Sequence, residues 1–461
     1  MNTAPQPPEP DDHNRVLILT ADAGYGHRSA ALAIQAAMQE RYDNRCTTTV
    51  LNPLHEEGSP SILQTLSEQG HDRSVQNELG LYDLGYRISD GAATAALMEQ
   101  VFSALLHDPL KELLARTQPD VVVSTYPFLL EPLSFVVDRT GDATPLVSVI
   151  TDLVAVHTIW FNPRVDLCLV PTEQVRQKAL RRNVPADRIH VTGLPVHPHF
   201  GAEKRPPAEI RAELGWRTDL PTALIVGGTR VTNVLGVARL IDRSGLNVQL
   251  AIVAGGDEEL HAQLTAQSWR SEVHVYGFVD NMPALIHASD VVMAKGGGLI
   301  VSETLACGRP LILFSSTAGQ ETGNVEYVTS NMAGDWSPTP AKALASLVRW
   351  LAGDGAVLAK RTANARRAGR PQAVYDVVDL VWELIETGPR PTSRDRNLRK
   401  AARLPLKAST QVSRAIDKLE QELRGVTDSE LARVATWCVN QIETETELKR
   451  IADAVRQRFK A

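Results

Sequence analysis

Aromatic residues make up only 5% of the 461-residue chain, which leaves little material for the base-stacking platforms of single-strand nucleic-acid binders. Positive charge is not in excess: 48 Lys and Arg stand against 54 Asp and Glu, a net charge of −6. No global field gathers polyanions, and nucleic acid is not an expected partner. The four cysteines, Cys46, Cys168, Cys307 and Cys438, lie far apart and form no C-x-x-C pair. A disulfide framework or a zinc site is therefore not expected, and a reducing cytoplasm fits. No apolar run approaches bilayer length. The start, M-N-T-A-P-Q-P-P-E-P-D-D, has neither the basic opening nor the apolar stretch of a signal peptide. Any action on a membrane is expected from its surface.

What the chain does have is 43% hydrophobic residues, ample for two cores, and a repeated pattern of apolar run, glycine and helical period. The pattern is densest from Ala294 to Asn324, A-K-G-G-G-L-I-V-S-E-T-L-A-C-G-R-P-L-I-L-F-S-S-T-A-G-Q-E-T-G-N. A strand ends in Gly296, Gly297 and Gly298, a short helix follows, then a second strand and a polar loop, which makes one βαβ unit. Three residues without Cβ let backbone amides approach a ligand, and the helix behind them offers unpaired N–H groups and a positive dipole end. Ser302 and Glu303 fall in the first turns, where a carboxylate can accept from a diol. A plain tight turn with a surface carboxylate reads equally well from the glycines alone.

Earlier in the chain, R-V-L-I-L-T at 15–20 reads as a buried parallel strand running into A-D-A-G-Y-G-H-R-S-A-A-L. Gly24 and Gly26 open a helix, but Ser29 stands where a dinucleotide fingerprint has its third glycine. His27 sits at that helix start, where the dipole favours a neutral imidazole. It is a candidate general base or a locally bonded helix-start histidine. Thr47–Leu51 reads as a second strand, and helical stretches are expected near 60–69 and 92–116. Further strands start at Asp120 and Pro145. The loop T-D-L-V-A-V-H-T-I-W-F, 151–161, puts Asp152 just past a strand end with His157 and Trp160 behind it. Sugar or acceptor recognition and a capped, packed loop are both open. Residues 199–209 are Pro-rich and charged and read as a linker. Beyond it, T-A-L-I-V-G-G carries a second glycine pair, Gly227 and Gly228.

The pattern predicts an α/β protein with two Rossmann-like domains facing a cleft, plus a C-terminal helical extension. The expected parts are a disordered N-terminus 1–13, a domain 14–198, the linker 199–209, a second domain 210–370, a closing helix 371–388, and a basic linker and helical tail 391–461. In the tail, residues 394–407 carry six basic side chains and one acidic, suited to anionic headgroups or to simple solvation. Thr427-x-x-Glu430 reads as a capping box.

Taken together, G-Y-G-H-R-S-A-A-L-A-I at 24–34, T-D-L-V-A-V-H-T-I-W-F, P-T-E-Q-V, G-L-P-V at 193–196, G-F-V at 277–279, A-K-G-G-G-L-I-V-S-E-T-L-A-C-G-R-P-L-I-L and A-G-Q-E-T-G-N resemble the GT-B glycosyltransferases that make monogalactosyl- and glucosyl-diacylglycerol. They are similar, more distantly, to the peptidoglycan N-acetylglucosaminyl transferases. The resemblance spans about 15–388 and implies an inverting transfer of a hexose from a UDP-sugar co-substrate to a lipid acceptor, diacylglycerol first, at the inner face of the cell membrane. Alternatives are a polyprenyl or soluble acceptor, or a silent nucleotide-binding protein. By the same resemblance, Gly296–Gly298 hold phosphates, Glu303 the ribose, Gln320 and Glu321 sugar hydroxyls, and Asn324 supports them. Gly227, Gly228 and Ser302 belong to the donor side. His27 and Asp152 are the catalytic candidates, with Gly24, Gly26, His157 and Trp160 on the acceptor side. Ile300 departs from the family's threonine. The chain contains no Asp-x-Asp, and neither metal nor cofactor is expected.

Overall fold

A computed structural model of the protein describes residues 13–22, 25–56, 59, 92–140, 144–317 and 321–388. Gly24, Gln320, the stretch near 60–69 and the tail 391–461 with its basic run and capping box lie outside the described residues.

Two six-stranded sheets form the frame. The first contains β1 (Asn14–Leu19), β2 (Cys46–Leu51), β3 (Val121–Ser124), β4 (Leu146–Val149), β5 (Leu167–Val170) and β6 (Ile189–Val191), in the order β2-β1-β3-β4-β5-β6. Every recorded pairing is parallel. β3, β4 and β5 are buried throughout, as expected for strands covered on both faces. Strand alternation separates their side chains into two cores. Leu17, Leu19 and Val122 join the helices Ala92–Thr117 and Leu130–Thr140 on one side. Val16, Ile18, Val121 and Val123 meet Ile34 and Met38 of the helix Tyr25–Tyr42 on the other.

The second sheet contains β7 (Thr222–Val226), β8 (Gln249–Val253), β9 (Val273–Tyr276), β10 (Val291–Lys295), β11 (Leu311–Ser315) and β12 (Gly334–Trp336), in the order β12-β11-β10-β7-β8-β9. It too is parallel. Chain order reverses between β1 and β3 in the first sheet and between β7 and β10 in the second. These are the topological switch points at which open parallel sheets leave a crevice at their carboxyl ends.

The stretch 199–209, read as a linker between the two halves, is partly helical. It holds the helix His199–Ala202 and the start of the helix Pro207–Glu213, and Phe200 is buried. Pro206 and Pro207 lie just before and at the helix start, where a missing N–H costs nothing. The last described helix, Ala373–Thr387, returns to the first sheet, where Val374, Val377, Val381 and Trp382 fill the core beside Val16 and Val121. Its outer edge is laced to the helix Tyr25–Tyr42 by Arg41–Asp379, by Tyr42 Oη to Asp379 Oδ1 at 2.9 Å, and by Trp382 stacked on Tyr42 at 4.4 Å.

The chain that brings this helix back passes very close to its neighbours. A Cβ on Gly369 would lie 2.0 Å from the Leu305 carbonyl oxygen, and one on Gly193 (φ +98°) would lie 2.8 Å from Arg370 Cβ. No helix among the described residues is long and apolar enough to cross a membrane.

Candidate active site

At the first switch point, β1 delivers the chain to the helix Tyr25–Tyr42, and His27 occupies its first turn. Three elements fix it. Thr151, just past β4, places Oγ1 2.6 Å from His27 Nδ1, and Thr125, just past β3, donates from Oγ1 to the His27 carbonyl at 3.1 Å. Tyr126 meets the ring edge-on at 5.3 Å between centroids, and Trp160 lies 6.0 Å away. The residue is half-buried, but its imidazole is enclosed. Burial pushes its pKa down to about 4, with the Thr125 backbone pulling weakly the other way. The ring is therefore neutral at pH 7, as a general base must be. Gly26 crowds nothing: a Cβ there would meet no atom within 4 Å.

Asp152 does not bond to His27; its Oδ2 accepts from Trp160 Nε1 at 2.7 Å. Trp160 is fully buried and His157 nearly so. The His157 Nδ1 accepts from the Ile159 amide at 3.3 Å and caps the short turn that carries Trp160. The sequence left acceptor recognition and a packed loop both open for these rings; in the structure they are buried and brace the loop that holds Thr151 and Asp152, with Trp160 6.0 Å from the His27 ring. Loop rings have no strand or helix period to reveal which way they face.

At the second switch point the two glycine loops lie side by side. Gly227 closes on β8, its amide donating to the Val253 carbonyl at 2.7 Å, and a Cβ would sit 2.9 Å from that oxygen. Gly228 follows with φ +143°. From β10, Gly296 donates to the Ser315 carbonyl at 2.8 Å, and Gly297 precedes the helix Gly298–Ala306 with no side-chain cap. Among the described residues, the first amides of that helix thus have neither an intrahelical acceptor nor a side-chain cap.

Asn324 donates from Nδ2 to the Gly296 carbonyl at 3.0 Å, while its Oδ1 is buried with no partner among the described residues. Glu321 accepts the Thr317 amide at 2.6 Å on Oε2 and pairs through Oε1 with Lys295 Nζ at 2.8 Å. Burial raises the Glu303 carboxyl to about 8. A carboxyl so enclosed is suited to accept from ligand hydroxyls that replace lost water. Ser302 Oγ is buried without a partner and lines a cavity of about 20 Å³ with Leu153, Gly193 and Tyr327. Ser302 therefore faces the seam between the two halves.

The loop after β4 spans that seam. Leu153 Cβ lies 3.8 Å from where a Cβ on Gly298 would be, and the corresponding position on Gly323 falls 3.0 Å from Val154 Cβ and 3.1 Å from the Ala155 amide. One loop thus touches His27 through Thr151 and, in the second half, the starts of the helices Gly298–Ala306 and Thr322–Ser330. Among the described residues, no group of three or more His, Cys, Asp or Glu gathers to hold a metal ion. Thr151, Tyr126 and Lys295 also belong to this site; Thr151 and Lys295 lie within the quoted segments, but no role was read for them or for Tyr126. The available signal was position, since Thr151 and Tyr126 follow strand ends and Lys295 is one.

Two parallel sheets, with glycine loops at one switch point and a histidine at the other, have the GT-B architecture of nucleotide-sugar enzymes. The comparisons with known proteins narrow this. Residues 27–196 match the family model described as monogalactosyldiacylglycerol (MGDG) synthase, and 222–351 match the glycosyltransferase family 28 C-terminal domain. The chain is 30% identical over 393 residues to the chloroplastic monogalactosyldiacylglycerol synthase of Spinacia oleracea, covering 82% of this chain and 74% of that one. It is 30% identical over 391 residues to monogalactosyldiacylglycerol synthase 1 of Arabidopsis thaliana, covering 82% and 72%. Among solved structures, MurG of Acinetobacter baumannii superposes with TM-score 0.50 at 16% identity, over 80% of this chain and 99% of that one. A UDP-GlcNAc 2-epimerase of Neisseria meningitidis bound to UDP-GlcNAc gives 0.50 at 14%, over 80% and 100%. The chain belongs to the monogalactosyldiacylglycerol synthase family and is a UDP-sugar-dependent glycosyltransferase.

Proposed function

We propose that this protein transfers a hexose, with inversion, from a UDP-sugar to diacylglycerol at a membrane surface. The observation that carries the reading is the loop 151–155, which joins a neutral His27 on one sheet to the glycine-headed helices on the other. The donor's diphosphate rests on the free amides before Gly298–Ala306, where the helix dipole favours anions. Glu303 accepts from the ribose diol, and Glu321 with Asn324 meets the sugar. The acceptor hydroxyl attacks the anomeric carbon from the face opposite UDP. Its proton passes to His27, and the electron pair of the broken C–O bond stays on the β-phosphate oxygen. Asp152, held by Trp160, orients the acceptor. The relatives are named for a galactolipid product, so galactose is the first donor sugar to try, and a lipid substrate implies peripheral membrane contact.

The test is incubation with radiolabelled UDP-sugars and liposomes containing diacylglycerol. Label moving into the organic phase supports the reading. Label confined to water-soluble products would assign a soluble acceptor instead, and no transfer from any UDP-sugar would leave a nucleotide-binding protein without this activity.

A further inference from the structure

Lys295 is the last residue of β10, and the pairing of β10 with β11 slips between Ala294 and Lys295, so that Lys295 faces Ser315 out of the preceding register. The extra residue is Phe314 of β11, so the loop that follows β11 leaves the ladder beside Lys295. The Lys295 side chain is only 17% exposed. Its ammonium is 2.8 Å from Glu321 Oε1 and 3.2 Å from Thr317 Oγ1. Glu321 Oε1 in turn lies 3.7 Å from where a Cβ on Gly297 would be, which puts the ion pair next to the uncapped start of the helix Gly298–Ala306. An ammonium has three N–H donors, and the described residues take two of them. Among the described residues, the neighbouring Asn324 Oδ1 is buried without a partner, a second polar group here with hydrogen-bonding capacity to spare.

We propose that Lys295 is the cationic contact for the donor diphosphate, with its remaining N–H directed to a β-phosphate oxygen. The inference rests on the UDP-sugar reading above. Breaking the anomeric C–O bond leaves an electron pair on that oxygen, so the leaving UDP carries one more negative charge than it did in the donor. Backbone amides at a helix start supply about half a charge; the ammonium, whose net charge Glu321 largely offsets, adds an N–H donor whose hydrogen bond to the phosphate oxygen strengthens as negative charge develops there. Glu321 and Thr317 hold the ammonium in place and limit the ordering that binding requires. The pair thus positions Lys295 as well as fastening the loop after β11.

The experiment compares UDP with uridine, which shares the base and ribose but lacks the phosphates. Affinities are measured by calorimetry on the wild type, Lys295→Gln and Lys295→Arg, with thermal unfolding as the check on folding. The proposal expects Lys295→Gln to bind UDP about tenfold more weakly with uridine unchanged, Lys295→Arg to regain most of the UDP affinity, and kcat to fall further than uridine binding does. Equal losses for UDP and uridine would make Lys295 a structural fastener and overturn the proposal, as would unchanged UDP binding. A wild type that binds neither ligand overturns the UDP-sugar reading itself, a result distinct from either.

Discussion

Thr151 and His27, 124 residues apart in the chain, meet Oγ1 to Nδ1 at 2.6 Å. The partner of the candidate base is therefore a neutral hydroxyl. The carboxylate next to it in sequence, Asp152, is turned onto Trp160. A hydroxyl orients an imidazole without the Coulombic support a carboxylate gives the protonated ring, and burial lowers the pKa to about 4.

This relationship sets the acid side of the pH profile. The base works only when neutral, so the low-pH limb of kcat/KM is expected well below the ordinary histidine value of 6.5, toward 4. Stability carries the same signature. The unfolded chain takes up the proton near 6.5 and the folded one near 4, so His27 contributes fully above pH 6.5 and its contribution is lost as pH falls from 6.5 to 4. His27→Gln should abolish transfer and flatten that part of the stability curve. A variant with near-normal turnover would remove His27 from the chemistry.

Glu303 titrates in the opposite sense. Its carboxyl is raised to about 8 by burial, so the folded protein holds a proton that the unfolded chain has lost. The cost to stability is absent below pH 4.5 and grows as pH rises through 8. Glu303→Gln is expected to raise the melting temperature of the ligand-free protein at pH 8.5, to change little at pH 5, and to weaken both uridine and UDP. Urea unfolding at the two pH values, with calorimetry, checks this. A variant destabilised equally at both would assign Glu303 to the fold.

Gly369 tests the return of the chain to the first sheet. A methyl group there would sit 2.0 Å from the Leu305 carbonyl oxygen at the end of the helix Gly298–Ala306. Overpacking against backbone has no side chain to yield, so Gly369→Ala is expected to cost about 3 kcal/mol. Gly256→Ala, where a Cβ meets nothing within 4 Å, is the comparison and should stay within about 0.5 kcal/mol. Equal chevron or equilibrium unfolding midpoints for the two would contradict the packing at Leu305.

The sheets and glycine loops were legible because they rest on local patterns: buried apolar runs, and glycines where backbone meets backbone, as at Gly227 beside the Val253 carbonyl. The rest depended on relationships across the chain. Nothing in A-V-Y-D-V-V-D-L-V-W directs that helix to the first sheet; its apolar face would suit either one, and Asp379 finds Arg41 only after folding. Likewise, Thr151 gains meaning from His27, and Lys295 from a bulge that apolar periodicity does not encode. For His157 and Trp160 the sequence left two readings open, because polar-tipped rings are used both to line sites and to brace loops, and their burial appears only in the fold.

Ile300 is the departure that the structure turns into a measurement. It is half-buried and packs on the second core, with its Cγ2 3.7 Å from where a Cβ on Gly297 would be, beside the uncapped helix start. Ile300→Thr keeps the β-branch, so the backbone preference changes little, but it puts a hydroxyl next to the amides proposed to hold phosphate. Removal of the outer methyl costs about 1 kcal/mol of packing, while a hydrogen bond to a charged oxygen contributes about 1.5–3 kcal/mol. The expected outcome is a slightly lower melting temperature with UDP affinity raised about tenfold or more and uridine affinity unchanged. UDP binding that weakens in step with uridine would show that Ile300 shapes the pocket by packing alone, and the phosphate would then rest elsewhere on the glycine loop.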